Sequence, residues 1–121
     1  MSITIMTVDD SRTMRDMVSH TLKGAGYTVM EAEDGKDALS RLGAQRADVI
    51  ITDLNMPNMD GLSLIKELRT KAEYRTTPIL MLTTEADEGK KNAGREAGAT
   101  GWIVKPFNPE KLLGVIKKVA G

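Results

Sequence analysis

The chain is built around the run Ala47-Asp48-Val49-Ile50-Ile51-Thr52-Asp53, which continues into a loop at positions 54–61. The middle of this run is apolar and β-branched without alternation, a pattern typical of a strand buried on both faces of a parallel sheet. Its last residue, Asp53, opens a loop rich in Asn, Pro, Asp and Gly. Because open α/β sheets bind ligands at the carboxyl ends of their strands, Asp53 is a candidate site residue. The alternative is that Asp53 only caps the helix that follows.

Similar patterns on both sides of this run predict a repeating strand–helix unit. Four further strands are predicted, at residues 3–8, 27–32, 79–83 and 101–104. Five helices are predicted between and after the strands: 12–23, one opened by Asp34-Gly35 and closed by Gly43, one starting at Gly61, 87–97, and one starting at Pro109 with Asn108 as its cap. This alternation indicates an α/β fold in which right-handed crossovers cover both sides of a parallel sheet.

The first predicted helix shows which side chains face the core. Its apolar residues at helical spacing are Met14, Met17, Val18 and Leu22, and we expect all four on the buried face. His20, the only histidine, lies off this stripe, so we interpret it as a surface residue rather than a metal ligand or phosphorelay group.

Composition narrows the class of protein. The 121 residues suit one domain, and Lys plus Arg equals Asp plus Glu at 17 each, so the net charge is zero. This balance lacks the basic footprint of a nucleic-acid binder. The chain has no cysteine for a disulfide or thiolate site, and no apolar run approaches the ~18 residues of a membrane span. Met1 leads into a strand without a signal peptide. We expect a single domain over residues 1–121, without an effector domain: a cytoplasmic monomer with no nucleic-acid or membrane partner.

Charged and hydroxyl side chains follow four of the five predicted strands. Asp9-Asp10 end the first strand, Asp53 the third, Thr83 the fourth and Lys105 the fifth. Asp9-Asp10 alone would be explained as helix-capping residues. If the strand order is 2-1-3-4-5, however, all these groups converge in one cleft. Clustered carboxylates repel one another unless a hard cation such as Mg²⁺ shares them. A cation, a lysine and a hydroxyl around one carboxylate indicate phosphoryl chemistry at Asp53.

The motifs at these strand ends resemble those of the response-regulator receiver domains. They occur in the family's order and cover the chain from end to end: Val8-Asp9-Asp10-Ser11, Asp53-Leu54-Asn55-Met56-Pro57 with Asp60-Gly61, Leu82-Thr83, and Lys105-Pro106-Phe107. The resemblance implies a flavodoxin-like, doubly wound five-stranded parallel sheet of order 2-1-3-4-5 with five helices.

The resemblance also implies a role for each charged residue. Asp53 would be the phosphoacceptor, with a histidine kinase as phosphodonor. Asp10 and Asp53 would ligate Mg²⁺ together with the backbone carbonyl of Asn55, and Asp9 would act through water. Lys105 would contact the phosphoryl oxygens, and its peptide bond to Pro106 would be cis.

Further residues would transmit and time the signal, again by resemblance. Thr83 would move toward the phosphoryl group, and Trp102 stands at the position of the family's aromatic switch. Positions two residues beyond the phosphoacceptor and the threonine tune hydrolysis, and these are Asn55 and Glu85 here. Thr84 replaces the small residue usual at its position, which would narrow access to the phosphoryl group.

Several functions share these parts. The preferred one is a signalling module, not an enzyme beyond its own phosphoryl transfer and dephosphorylation, that binds an output protein such as the flagellar motor switch in chemotaxis. A phosphorelay intermediate or a phosphate sink would have the same architecture. A Mg²⁺-dependent aspartyl-phosphate phosphatase would need an Asp where Asn55 stands. A receiver fold used only as an interaction surface would not need an intact acidic site.

Overall fold

The computed structural model describes residues 3–120, and within them strands and helices alternate as predicted. The five strands are β1 (Thr4–Val8), β2 (Thr28–Ala32), β3 (Val49–Thr52), β4 (Ile79–Thr83) and β5 (Gly101–Val104). The five α-helices are α1 (Arg12–Gly24), α2 (Gly35–Ala44), α3 (Gly61–Arg69), α4 (Glu88–Ala97) and α5 (Pro109–Ala120). A short 3₁₀ helix at Ala72–Tyr74, which was not predicted, precedes β4.

All the strands pair in parallel, in the order β2-β1-β3-β4-β5. The predicted fold class and strand order are therefore confirmed. The central strand β3 lies between β1 and β4, with Ile50 beside Met6 on one side and Ile79 on the other. Every residue of β3 is buried, as its unbroken apolar run predicted.

The sheet separates two apolar cores. Side chains of β3 alternate between them: Ile50 packs with α2 and α3, whereas Val49 and Ile51 pack with α1 and α5. The chain thus covers both faces of the sheet, which leaves the carboxyl ends of the strands as the edge available for a site. Within residues 3–120, the helices are all too short or too polar to cross a membrane.

Several details of the helices differ from the predictions, including α1, which ends at Gly24 rather than at 23, and α4, which begins at Glu88 rather than at 87. Met17 is 52% exposed, so its placement on the buried face of α1 is wrong. The buried arc runs through Val18 and Leu22 toward Ser19, a small polar residue that an apolar pattern does not reveal. The second helix does not close at Gly43 but continues to Ala44. His20 is exposed, as expected.

Arg69 joins three segments at the edge of the sheet opposite the strand carboxyl ends. Its guanidinium donates to the carbonyl oxygens of Gly98 (2.7 Å), Tyr74 (2.7 Å) and Thr77 (2.7 Å). These bonds tie the end of α3 to the turn before β4 and to the end of α4. Burial lowers the pKa of Arg69 from its ordinary value.

Candidate functional site

Three carboxylates meet at the carboxyl ends of β1 and β3. The backbone N–H of Asp53 donates to the carbonyl of Val8 (2.9 Å), which aligns the ends of the two strands. One carboxylate oxygen from each of Asp9, Asp10 and Asp53 lies within 4.8 Å of the others. The structure therefore brings together the three acidic residues that were singled out in the sequence.

None of these aspartates is the cap of a helix. The N-cap of α1 is Ser11, whose hydroxyl accepts from the N–H of Met14 (3.2 Å). The N-cap of α3 is Asp60, whose carboxylate accepts from the N–H of Ser63 (2.8 Å). The capping explanation of Asp9, Asp10 and Asp53 is thus wrong, and their carboxylates need another role.

Asp9 accepts three hydrogen bonds and is only 4% exposed. Its Oδ1 accepts from the N–H of Ser11 (2.9 Å), and its Oδ2 accepts from Lys105 Nζ (2.7 Å). Its carbonyl accepts from Arg15 Nη1 (2.7 Å). Arg15 was not predicted at the site, because its position in α1 gives no local sign of how far its side chain reaches. Asp10, by contrast, is exposed.

Lys105 lies between the acidic residues, with its side chain only 9% exposed. Its Nζ is 2.7 Å from Asp9 Oδ2 and 3.2 Å from Asp53 Oδ2. Burial by itself lowers the pKa of the Lys105 ammonium, but the hydrogen bonds and charges of Asp9 and Asp53 outweigh it, and the pKa lies above its ordinary value. The Lys105 N–H donates to the Thr83 carbonyl (2.8 Å), and the Lys105–Pro106 bond is cis.

The backbone around Asp53 is packed tightly enough to require a glycine. A Cβ on Gly61 would overlap the carbonyl oxygen of Asp53. The N–H of Gly61 donates to the Leu54 carbonyl (2.8 Å), and the N–H of Leu54 donates to Asp53 Oδ1 (2.7 Å). The start of α3 is therefore held directly behind the Asp53 carboxylate. Asn55, next in the loop, is exposed.

Thr83 and Trp102 are linked through the backbone of Glu85. Thr83 is buried at the end of β4, and its Oγ1 accepts from the N–H of Glu85 (3.4 Å). The carbonyl of Glu85 accepts from Trp102 Nε1 (2.8 Å). The sequence singled out all three residues, but it did not reveal this link, because a backbone carbonyl is present at every residue. Thr84, between Thr83 and Glu85, is exposed.

The chemistry of the acidic cluster suits a hard divalent cation. Its three candidate ligand groups are all carboxylates, with no His or Cys among them. Mg²⁺ prefers oxygen ligands and retains several waters, so an exposed carboxylate such as Asp10 beside more buried ones fits its needs. The residues present therefore fit the ion that the sequence analysis named.

Comparison with known proteins identifies the family. The model of the response regulator receiver domain matches residues 5–117, which is most of the chain. The chain belongs to the response-regulator receiver family, a family of signalling domains rather than of metabolic enzymes.

Individual relatives show which kind of receiver the chain is similar to. The chain is 41% identical over 119 residues to the chemotaxis protein CheY1 of Helicobacter pylori, covering 97% of this chain and 96% of that protein. It is 40% identical to a CheY homologue of Campylobacter jejuni, covering 97% and 92% of the two chains. Among solved structures, Vibrio cholerae CheY4 superposes with a TM-score of 0.95 at 51% identity, covering 98% of this chain and 99% of that one. The receiver is thus CheY-like along its length.

Proposed function

We propose that this chain is a response regulator of the chemotaxis type, phosphorylated on Asp53 by a histidine kinase in the cytoplasm. The observation that carries the proposal is the contact of Lys105 with both Asp9 and Asp53 beside a third carboxylate. The similarity to CheY proteins of three bacteria supports the chemotaxis role. The receiver fold would act as one domain, by docking onto an output protein such as the flagellar motor switch.

The proposed reaction is a phosphoryl transfer to the Asp53 carboxylate. A carboxylate oxygen of Asp53 forms a bond to phosphorus while the phosphorus–nitrogen bond of the phosphohistidine donor breaks, and the imidazole leaves with the electron pair and takes up a proton. The Lys105 ammonium, already 3.2 Å from Asp53 Oδ2, stabilises the negative oxygens of the group being transferred. Hydrolysis of the aspartyl phosphate by water later ends the signal.

Asp10, Asp53 and the Asn55 carbonyl would hold Mg²⁺, with Asp9 acting through a water molecule. When bound, the ion would neutralise part of the charge that gathers on the phosphoryl oxygens. Asp9 suits an indirect role because both its carboxylate oxygens already accept bonds from the protein.

Thr83 and Trp102 would carry the change to the partner-binding face around α4 and β5. A phosphoryl oxygen offers the Thr83 hydroxyl a charge-assisted partner, and such bonds are stronger than neutral ones. Thr83 now accepts only a long bond, 3.4 Å, from the Glu85 N–H, so little is lost when it turns away. Because the carbonyl of the same Glu85 holds Trp102, this segment connects the hydroxyl to the indole.

Asn55, Thr84 and Glu85 would set the lifetime of the aspartyl phosphate. Asn55 and Glu85 match the chemotaxis type that hydrolyses quickly, so we expect a lifetime of seconds to a few minutes. The exposed Thr84 lies where a smaller residue is usual, and its bulk would move the lifetime toward the slower end.

Loading with acetyl phosphate and Mg²⁺ tests the proposal. Mass spectrometry should find one added phosphoryl group in the wild type and none in Asp53→Asn, and phosphate release should give the lifetime. A pulldown with the beryllium-fluoride form should then capture motor-switch protein in preference to relay proteins. A phosphoryl group that persists for hours would favour a relay, and labelling of Asp53→Asn equal to wild type would overturn the site.

A further inference from the structure

The loop that carries Asn55 is closed by hydrogen bonds between its own ends. Residues 53–60 join β3 to α3. At their start, Leu54 donates to Asp53 Oδ1 (2.7 Å) and accepts from the N–H of Gly61 (2.8 Å). These two bonds join the ends of the loop to each other and to the start of α3, but they do not tie the far side of the loop, residues 56–59, to any other element.

The far side is anchored to the start of α2. Asn58 Nδ2 donates to Asp34 Oδ2 (2.8 Å), and the N–H of Gly35 donates to the Met59 carbonyl (3.2 Å). Asn58 has a φ of +67°, a left-handed conformation that asparagine tolerates better than most residues but that still has an energetic cost. The bond from its side chain offsets part of the cost of this backbone conformation.

Asp34 is suited to this anchor because it serves two elements at once. Its Oδ1 accepts from the N–H of Asp37 (2.8 Å) as the N-cap of α2, and its Oδ2 accepts from Asn58. The residue is only 5% exposed, so water does not compete well for these oxygens. Beside it, Met59 fills the place where Gly35 would carry a Cβ, with Met59 Cγ 2.6 Å from that position. The start of α2 and the loop before α3 are therefore packed closely against each other.

We propose that Asp34 and Asn58 are positioning residues for the metal site, and that their hydrogen bond holds the loop so that the Asn55 carbonyl points toward the acidic cluster. This inference rests on the proposed role of Asn55 as a Mg²⁺ ligand. Asn55 is separated from the anchored Asn58 by only two residues, so the conformation of Asn58 constrains the direction of its carbonyl. Residues that orient metal ligands commonly alter metal affinity by about 10- to 100-fold when they are changed.

Substitutions can remove this bond while sparing the rest of the structure. Asn58→Gly keeps the left-handed backbone conformation accessible but lacks the side chain that donates to Asp34. Asp34→Ser keeps an oxygen able to cap α2 but is too short to reach Asn58. Asp34→Asn keeps the length: its Oδ1 can still accept from the Asp37 N–H, and its Nδ2 can donate to Asn58 Oδ1 once the Asn58 amide turns over, so it should rescue the function. Asp48→Ala is the matched control, because it removes a carboxylate bond to a backbone N–H, that of Thr4 (2.8 Å), at the opposite edge of the sheet.

Metal binding is measured with Mn²⁺ as the probe, from the loss of its free-ion electron paramagnetic resonance signal, because Mn²⁺ accepts the same oxygen ligands. We expect Asn58→Gly and Asp34→Ser each to raise the dissociation constant for Mn²⁺ by about fivefold, less than for residues that bond a metal ligand directly, because they act on Asn55 through the loop. The double variant should be no weaker than either single one, since both remove the same bond. The dissociation constants of Asp34→Asn and Asp48→Ala for Mn²⁺ should lie within about twofold of the wild-type value, whatever the melting temperatures of these variants.

The outcomes separate this inference from the proposed function. If wild type binds Mn²⁺ and Asn58→Gly and Asp34→Ser bind it equally well, the Asp34–Asn58 bond only stabilises the fold and the inference is overturned. An affinity loss in Asp48→Ala equal to that in Asp34→Ser would also overturn it, because general destabilisation would then explain the effect. If wild type fails to bind the ion, the metal site in the proposed function is wrong and the inference falls with it.

Discussion

The indole of Trp102 is held from two directions. Its Nε1 donates to the Glu85 carbonyl (2.8 Å), and its six-membered ring rests where Gly94 has no side chain. A neutral hydrogen bond of this kind contributes about 1 kcal/mol net, so it is weak enough to be exchanged when Thr83 gains a charged partner. The residue can therefore respond to a change at Asp53 through a shift in population rather than through local unfolding.

Trp102 fluorescence should report this response, because the chain has only one tryptophan. Adding beryllium fluoride with Mg²⁺ should shift its emission or its quenching by iodide. Thr83→Ala should weaken the shift while leaving Asp53 able to accept a phosphoryl group, since it removes the hydroxyl and the methyl of Thr83 but none of the three carboxylates or Lys105. If emission and quenching stay constant while Asp53 is demonstrably modified, Trp102 is a fixed packing residue and the signal takes another route.

The Asp34 carboxyl makes the free energy of unfolding depend on pH. The bond from the Asp37 N–H, followed by the bond from Asn58, lowers the pKa of Asp34 below its ordinary 3.8. A carboxyl with a lower pKa in the folded state binds its proton more readily when unfolded. Its contribution to stability is therefore complete above the ordinary pKa and is lost as the pH falls through the folded value.

Asp34→Asn should reduce this acid sensitivity. Urea unfolding at pH 7 and pH 3 should show a smaller loss of unfolding free energy in the variant than in wild type. Asp48→Asn serves as a comparison, because the Asp48 carboxylate is exposed to solvent, whereas Asp34 is buried. An equal loss in Asp34→Asn and wild type would mean that other carboxylates account for the acid dependence.

At the scale of the element, α4 contains two glycines with different surroundings. A Cβ on Gly94 would lie 2.7 Å from Trp102 Cζ3, so the glycine makes room for the ring. Gly89 is exposed near the start of the helix, and a Cβ there would lie 3.0 Å from Asp87 Oδ2, the oxygen that caps α4 by accepting from the Lys90 N–H. Two glycines lower the helix propensity of this segment, but the structure gives Gly94 a packing role.

Alanine substitutions should separate the two glycines. Gly89→Ala should raise the unfolding free energy by about 0.5 kcal/mol, less than the full gain in helix propensity of about 1 kcal/mol, because the capping carboxylate of Asp87 must move slightly. Gly94→Ala should lower it by about 1 kcal/mol, because the overlap with the rigid ring outweighs the same gain in propensity. Thermal unfolding measures both, and Trp102 emission should change only in Gly94→Ala. Stabilisation by both substitutions would show that the ring moves aside at no cost.

At the scale of the whole molecule, we expect the acidic cluster to make stability depend on a bound cation. Lys105 neutralises part of the charge of Asp9 and Asp53, so the repulsion among the carboxylates is smaller than their number suggests. A cation that binds only the folded state still stabilises it, by about 2.7 kcal/mol at a hundred times its dissociation constant.

Millimolar Mg²⁺ should therefore raise the melting temperature. Asp53→Asn should blunt this rise, because it removes one negative charge and replaces one carboxylate oxygen with an amide nitrogen, and it should also stabilise the metal-free protein slightly by relieving repulsion. Calorimetry over a Mg²⁺ series, with Na⁺ at matched ionic strength as the control, measures both effects. A melting temperature independent of Mg²⁺ in wild type would contradict the metal site.

The sequence by itself determined the elements and the class of fold. An unbroken apolar run such as Val49-Ile50-Ile51 predicts a strand buried on both faces, and an abrupt change to Asp or Lys predicts the end of a strand. Both are local signals, readable without knowing what lies opposite. The family motifs then supplied the strand order and named the site residues, which the structure brings to one edge of the sheet.

Only the tertiary structure decided how those residues are held. The bond of Lys105 to Asp9 joins residues 96 positions apart, and that of Asn58 to Asp34 joins residues 24 apart. No periodicity encodes such pairs, because they depend on where long side chains end after the sheet has assembled. The same holds for Met17, which lies outside the buried arc of α1 although its spacing fits. A local pattern predicts which face of an element is apolar. The packing of neighbouring elements decides which side chains of that face become buried.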